Sequence, residues 1–379
     1  MGRIVRIAGR GEAYLPTRWM EAVGEGESLK SFSAEAKGSL NPLLKHIRLG
    51  GSAVVFGSWN DMTRLLAILQ ERRKELLGYT GGRQVEREKE RDFWEEAYRQ
   101  VLARLLVTAS AEGLLDTVPP LRIPHLLEFL GDHRQASQGL PLVVPVMVVK
   151  DLLAALDQLY PVFGLEAELV APESVLQPRQ QEVYDLFREV LPSLREQLPS
   201  RPLALDMGCG CGVLTLLMAR SLGGLEARIW ATDILPEALA TTQLNVERFV
   251  SLGHIVEGVV QVTEGGDLYA PVGDERFDII IFNPPWANAP ARTRLEVARY
   301  DYQQRTVRRF LQETPAHLRD RGHVLLFYAD NAGEKVIEAL REHIIRVGLS
   351  VSRTLSRRIR VARKWENIYL YDLVARSVA

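Results

Sequence analysis

The sequence predicts an α/β protein of two domains, with residues 1–164 mixed or mostly helical and residues 165–379 forming a parallel sheet covered by helices. Three observations carry this reading. A chain of 379 residues exceeds what one hydrophobic core usually fills. From about residue 165, β-rich and helical segments alternate at regular distances, as crossover connections require. In that same half a glycine-rich turn stands between a strand and a helix, where open α/β sheets bind ligands.

Hydrophobic residues at 46% and charged residues at 25% fit an ordinary globular composition. No apolar run approaches the roughly 20 residues of a membrane-crossing helix. The opening Met1-Gly2-Arg3-Ile4-Val5-Arg6 lacks the apolar stretch of a signal peptide, so a cytoplasmic protein without membrane association is expected. Cys209 and Cys211 are the two cysteines and share one turn, too close for a structural disulfide and without further ligands nearby for zinc. No metal site is expected. The net charge of −1 hides a polarity along the chain: residues 165–284 hold 8 basic and 18 acidic side chains, residues 285–379 hold 18 and 10. Such a gradient biases which ligands approach, and says nothing about fold.

In the first domain, about 40 residues show no clean period and stay unassigned. Residues 52–56 read as a buried strand, after which Ser58 or Asn60 caps a helix through Met62, Leu65, Leu66 and Leu69. Residues 78–82 break it, and the charged stretch 83–99 leads into a further amphipathic helix carrying Phe93, Ala97, Val101 and Leu105. Residues 142–149 read as a strand, with Asp151 capping a helix through Leu152, Leu153, Leu156 and Leu159. No catalytic motif occurs here, and the domain is expected to recognise substrate.

The second domain reads as a helix over residues 180–198, a strand at 203–205 and a helix at 213–221. A strand at 228–232 and a helix at 236–249 follow, then strands at 259–262, 277–282 and 324–328. A helix at 334–347 precedes residues 349–360 and 367–373, which read as an antiparallel hairpin added to the parallel sheet.

Asp206 ends the first of these strands, and Gly208, Gly210 and Gly212 follow in G-x-G-x-G spacing, tighter than the dinucleotide G-x-G-x-x-G fingerprint. Glycines there let the chain turn sharply and a ligand approach its backbone. An acid at this strand end suits a ligand with an ammonium group. Asp233 ends the next strand, where a carboxylate can accept ribose hydroxyls. Asp267, in Gly265-Gly266-Asp267-Leu268, follows the third strand. All three acids thus fall at carboxyl ends of strands.

Asn283-Pro284-Pro285-Trp286 ends the fourth strand. Successive prolines cannot continue a ladder, so the chain leaves the sheet there. The Asn283 side-chain carbonyl and the Pro284 backbone carbonyl are expected to converge on an amino group and orient its lone pair. Trp286 is expected to supply a flat face for a planar substrate. This describes a site that turns a planar nitrogen towards an electrophile, with Asn283, Pro284 and Trp286 as its catalytic set and orientation as its main device.

The stretch 203–285 resembles the class I S-adenosylmethionine-dependent methyltransferases, which implies a Rossmann-like seven-stranded domain and S-adenosylmethionine as cofactor. The resemblance implies that Asp206 and the Gly208, Gly210 and Gly212 backbone hold the methionine part and that Asp233 binds ribose. It implies that Ile234, Asp267 and Leu268 frame the adenine. The tetrad resembles the Asn-Pro-Pro-aromatic motif of enzymes acting on nucleobase amino groups and glutamine amides. With Gln177-Pro178-Arg179, Pro236-Glu237-Ala238-Leu239 and Arg276-Phe277-Asp278, residues 165–373 are similar to the protein-glutamine (release-factor) methyltransferases. Two departures stand out: Glu182-Val183 replaces the family's usual Thr-Glu pair, and Trp286 its commoner tyrosine or phenylalanine. The first domain is longer than that family's small helical substrate domain.

The resemblance implies an N-methyltransferase for a protein or RNA substrate. A small-molecule N-methyltransferase with the first domain as lid is the alternative, and a non-catalytic cofactor-binding subunit a third. Arg292, Arg294, Arg299, Arg305, Arg308 and Arg309 beside Tyr300 and Tyr302 read either as a phosphate-contacting lid or as a solvated helix face. Arg353, Arg357, Arg358, Arg360, Arg363 and Lys364 in the terminal hairpin admit the same two readings.

Overall fold

The structure is a computed structural model that describes residues 2–16, 28–35, 40–77, 97–110, 113–123, 126, 137–291, 294–361 and 364–376. It divides into two compact units, Met1–Asp157 and Gln158–Ala379.

In the first unit the strands are β1 (Arg3–Ile7), β2 (Gly11–Leu15), β3 (Ser28–Ser33), β4 (Ala53–Phe56), β5 (Leu105–Ala109), β6 (Leu114–Leu115), β7 (Leu121–Arg122) and β8 (Leu142–Pro145). They form one mixed sheet in the order β4-β3-β1-β2-β8-β5-β6-β7. Pairing of β4 with β5 closes the first six of these into a barrel, which removes their open edges. The unit is therefore mixed, not mostly helical. Helices α1 (Leu40–Arg48), α2 (Trp59–Glu71) and α3 (Val146–Asp157) complete it among the longer described helices. Ser58 is the cap of α2, accepting from Asp61 N at 3.1 Å.

Three readings need correction. Leu105, expected on the amphipathic helix with Ala97 and Val101, is instead the first residue of β5. The unassigned N-terminal residues contain β1 to β3, and β1 alternates buried Val5 and Ile7 with outward neighbours. The apolar run 142–149 is shared: β8 ends at Pro145, and α3 begins at Val146. Asp151 is therefore inside the helix and is not its N-cap. A continuous apolar run has no period to divide it. The break at residues 78–82 and the charged residues 83–96, with Phe93, lie outside the described residues.

The second unit has α4 (Gln181–Arg195), β9 (Leu203–Met207), α5 (Val213–Ser221), β10 (Arg228–Thr232), α6 (Pro236–Ser251), β11 (Val260–Val262) and β12 (Phe277–Phe282). It continues with α7 (Arg305–His317), β13 (Leu318–Ala329), α8 (Glu334–Arg346), β14 (Leu349–Val361) and β15 (Lys364–Ala375). The seven-stranded sheet runs β11-β10-β9-β12-β13-β15-β14. Strands β9 to β13 are parallel, and β15 enters antiparallel between β13 and β14.

Strand alternation builds two core layers. Leu205 and Met207 of β9 join Ile280 and Phe282 of β12 on one face, while Ala204, Ile279 and Ile281 join the other. All eleven residues of β9 and β12 are buried on both faces, as a helix-covered parallel sheet demands. The order reverses between β9 and β12, so their carboxyl ends flank the crevice where such sheets bind ligands.

Candidate active site

At that crevice the chain turns three times through left-handed backbone, with φ of 68° at Gly208, 57° at Gly210 and 85° at Gly212. Side chains rarely adopt these angles. A Cβ on Gly212 would also lie 3.2 Å from Thr242, whereas one on Gly210 would meet nothing within 4 Å. The open side of Gly210 is thus a cradle, not a packing contact.

Polar side chains fix the loop from behind. Thr242 Oγ1 donates to Gly210 O at 3.0 Å. Fully buried Asn245 donates to Cys211 O at 2.9 Å and Val170 O at 2.8 Å, and accepts from Val170 N at 2.9 Å. Asp278 accepts from Leu203 N at 2.8 Å and from Arg319 at 2.8 Å, tying the start of β9 to β12 and β13. Thr242 and Asn245 carry no motif. An Asn or Thr on a buried helix face is the available sign, and it does not say what the side chain holds.

Asp206 is buried, with 1% of its surface exposed. One carboxylate oxygen accepts from Thr215 Oγ1, and the other, Oδ1, is buried with no partner among the described residues. Burial lifts this carboxyl to about 7, against the lowering effect of the Thr215 hydrogen bonds, with nearby Asp233 adding to the rise. An orphaned buried acceptor beside an open glycine cradle fits a ligand bearing an ammonium group. Asp233 accepts from Gly210 N at 3.0 Å and Leu235 N at 2.9 Å. Burial raises it to about 6, opposed by those backbone donors. Each oxygen retains acceptor capacity for a hydroxyl.

A cavity of about 340 Å³ opens over this loop. Of the expected site residues, Gly208, Gly210, Asp233, Ile234, Asp267, Leu268 and Asn283 line it. Asp206 and Gly212 are not among its lining residues and stand next to Met207, Cys211 and Val213, which are. Asp267 is half-exposed and paired with Arg309 at 2.8 Å, so its carboxylate already has a cationic partner. Leu268 is buried with φ of 49°.

The tetrad divides. Asn283 and Pro285 line the cavity, and Asn283 Oδ1 is buried without a partner among the described residues. Pro284 is buried, and neither it nor Trp286 is part of the wall. Trp286 packs against both core layers. The aromatic residues that line the cavity are Tyr184, Phe282, Tyr300 and Tyr302. Pairing of Ala287 with Tyr300 returns the chain to the cavity and explains why residues so far along reach it.

Of the arginines after the tetrad, Arg305 lines the cavity and sits over the Tyr302 ring at 5.4 Å. Arg309 is engaged with Asp267, and Arg308 donates to Gln304 at 3.2 Å. Arg292 and Arg363 lie outside the described residues. No group of metal-ligating side chains occurs among the described residues, and no described helix is long and apolar enough to cross a membrane.

Residues 188–351 match the family model described as Methyltransferase small domain. The chain is 33% identical over 119 residues to a release factor glutamine methyltransferase of Geobacter sulfurreducens, covering 31% of this chain and 37% of that protein. It is 33% identical over 135 residues to a ribosomal protein uL3 glutamine methyltransferase of Bradyrhizobium diazoefficiens, covering 32% and 39%. It is 30% identical over 124 residues to a ribosomal RNA small subunit methyltransferase C of Alcanivorax borkumensis, covering 31% and 29%. The chain thus spans less than two fifths of the length of each of these relatives. Family match and sheet order together give the second unit a class I methyltransferase-like fold.

Proposed function

We propose that this chain is an S-adenosylmethionine-dependent N-methyltransferase acting on a planar nitrogen, either a protein glutamine amide or a nucleobase amino group. The observation that carries this reading is the Asn283 side-chain oxygen, buried and unpartnered on the wall of the cavity. A buried acceptor left open in the protein alone needs a donor from outside it. An amide or aromatic amine supplies one. Relatives named for glutamine and for ribosomal RNA methylation support the same pair of acceptors.

The cofactor supplies an electrophilic methyl group when bound. In this reading Asp206 Oδ1 and the Gly208–Gly210–Gly212 backbone hold its methionine part, and Asp233 its ribose. Ile234, Asp267 and Leu268 frame its adenine. Asn283 Oδ1 and the Pro284 carbonyl accept the two N–H groups of the acceptor, which turns the nitrogen lone pair out of conjugation. Tyr184, Tyr300 and Tyr302 offer rings for a planar acceptor, in place of Trp286. Catalysis rests on fixed geometry, and no side chain has to remove a proton before the new bond forms.

The test separates binding from turnover. Asn283→Ala is expected to bind S-adenosylhomocysteine as the unaltered protein does, by calorimetry, while losing methyl transfer by on the order of 100-fold or more. Unchanged transfer in that variant would remove Asn283 from the reaction.

A further inference from the structure

Strand β15 pairs with β13 only as far as Ile368, opposite Ala329, the last residue of β13. The β14–β15 ladder goes on for four more pairs, Arg358 with Asn367, Ile359 with Glu366, Arg360 with Trp365 and Val361 with Lys364. The hairpin therefore projects about 13 Å past the last β13 pair at ordinary strand rise. Because β13 is parallel to β12, that projection leaves from the carboxyl edge, the edge that carries Asn283. Strand β15 lies two strands from β12, about 10 Å away at ordinary spacing.

Register places Arg358, Arg360, Trp365 and Asn367 on one face of this arm. The Arg358 guanidinium sits 4.8 Å from the Trp365 ring centroid. Trp365 is 59% exposed. Neither Arg358 nor Arg360 has an ion-pair partner among the described residues, whereas Arg357, on the opposite face, is held by Glu189. The base of the arm is fixed: Asp330 accepts from Asn367 N at 2.8 Å and from its side-chain amide at 2.6 Å. Charges on a free edge strand guard against stray pairing, which accounts for arginines there. It does not account for an exposed tryptophan with its ring under one of them. Unpaired guanidinium groups beside an exposed indole are the pattern that meets phosphates and an unstacked base together.

We infer that the projecting β14–β15 arm is a docking surface for a single-stranded segment of RNA, with Arg358 and Arg360 on phosphates and a base on Trp365. This rests on the reading of the domain as an N-methyltransferase and narrows its acceptor to a nucleobase amino group carried into the cavity beside the arm. A folded duplex would not offer a free base to the indole, and an acidic peptide would not need one.

The full-length protein is titrated with a fluorescein-labelled mixed-sequence 12-nucleotide RNA across a salt series. Single-stranded binding is expected, with a duplex of the same sequence and a polyglutamate peptide each binding at least tenfold more weakly. The double variant Arg358→Ala with Arg360→Ala should reduce the slope of log affinity against log salt by about 1.4. Trp365→Ala should weaken binding by about 5- to 150-fold with the slope kept, and Trp365→Phe should restore most of the loss. Affinity for S-adenosylhomocysteine should stay the same in all three. Unchanged RNA affinity and slope in the variants, or equal binding of the polyglutamate peptide, would overturn the arm's role. Absent RNA binding together with methyl transfer to a protein nitrogen would overturn it too, while leaving the N-methyltransferase reading standing.

Discussion

Asp206 illustrates how a single residue joins stability to ligand binding. Its carboxyl is raised by burial to about 7, so the folded protein holds the proton to a higher pH than the unfolded chain. Folding stability contributed by this group is therefore full below the ordinary carboxylate value of about 3.9 and falls as pH rises toward about 7. A bound ammonium group needs the ionised form. Affinity for S-adenosylhomocysteine is expected to weaken by up to about tenfold per pH unit below 7, and Asp206→Asn to bind weakly with a flatter profile in calorimetry. A flat profile in the unaltered protein would detach Asp206 from the ammonium. Asp233, raised to about 6, titrates in a neighbouring window, so Asp233→Asn is the control that separates the two. Asp206, Asp233 and Asn283 were legible in the sequence because each sits at the end of a strand whose apolar run marks it. Trp286 is where the sequence says least about direction: its neighbours in sequence line the cavity, while Trp286 itself, partly buried, packs against both core layers.

At the scale of elements, the loop after β9 makes a sharper test than its glycine spacing did. Gly210→Ala places a Cβ where nothing lies within 4 Å, so the fold should lose only the on the order of 1–2 kcal/mol of a left-handed alanine. Cofactor affinity should fall by more than tenfold, because the same Cβ fills the cradle. Gly212→Ala, which meets Thr242 at 3.2 Å, should instead show mainly a lowered melting temperature. Equal loss of stability and equal affinity in the two variants would show that the loop is only a turn. The alternation of strand and helix made β9 to β15 readable, including the terminal hairpin. What stayed hidden were elements without a clean period: β1 to β3, and the division of residues 142–149 between β8 and α3. The arginines after the tetrad were visible as composition, yet only folding decides that Arg305 faces the cavity while Arg309 is spent on Asp267.

The molecule as a whole consists of two units, each with its own sheet, and the described residues that line the candidate site all belong to the second. A ligand of the second unit should stabilise that unit and not the barrel. With S-adenosylhomocysteine at about 100 times its Kd, stabilisation of about 2.7 kcal/mol is expected, raising one calorimetric transition and leaving the other in place. Equal shifts in both would mean that the units melt together. The barrel was the least legible part of the chain, since strand pairing across a closed ring leaves no local motif, and we propose substrate recognition as its task.

The central claim is methyl transfer to a planar nitrogen. It is tested most directly by giving the full-length protein methyl-labelled S-adenosylmethionine with a cell lysate, separating protein, RNA, lipid and small-molecule fractions, and identifying the labelled atom. Label is predicted on a nitrogen in the RNA fraction, and its absence with Asn283→Ala. Label found only in lipid, or only on carbon or oxygen, would contradict the account.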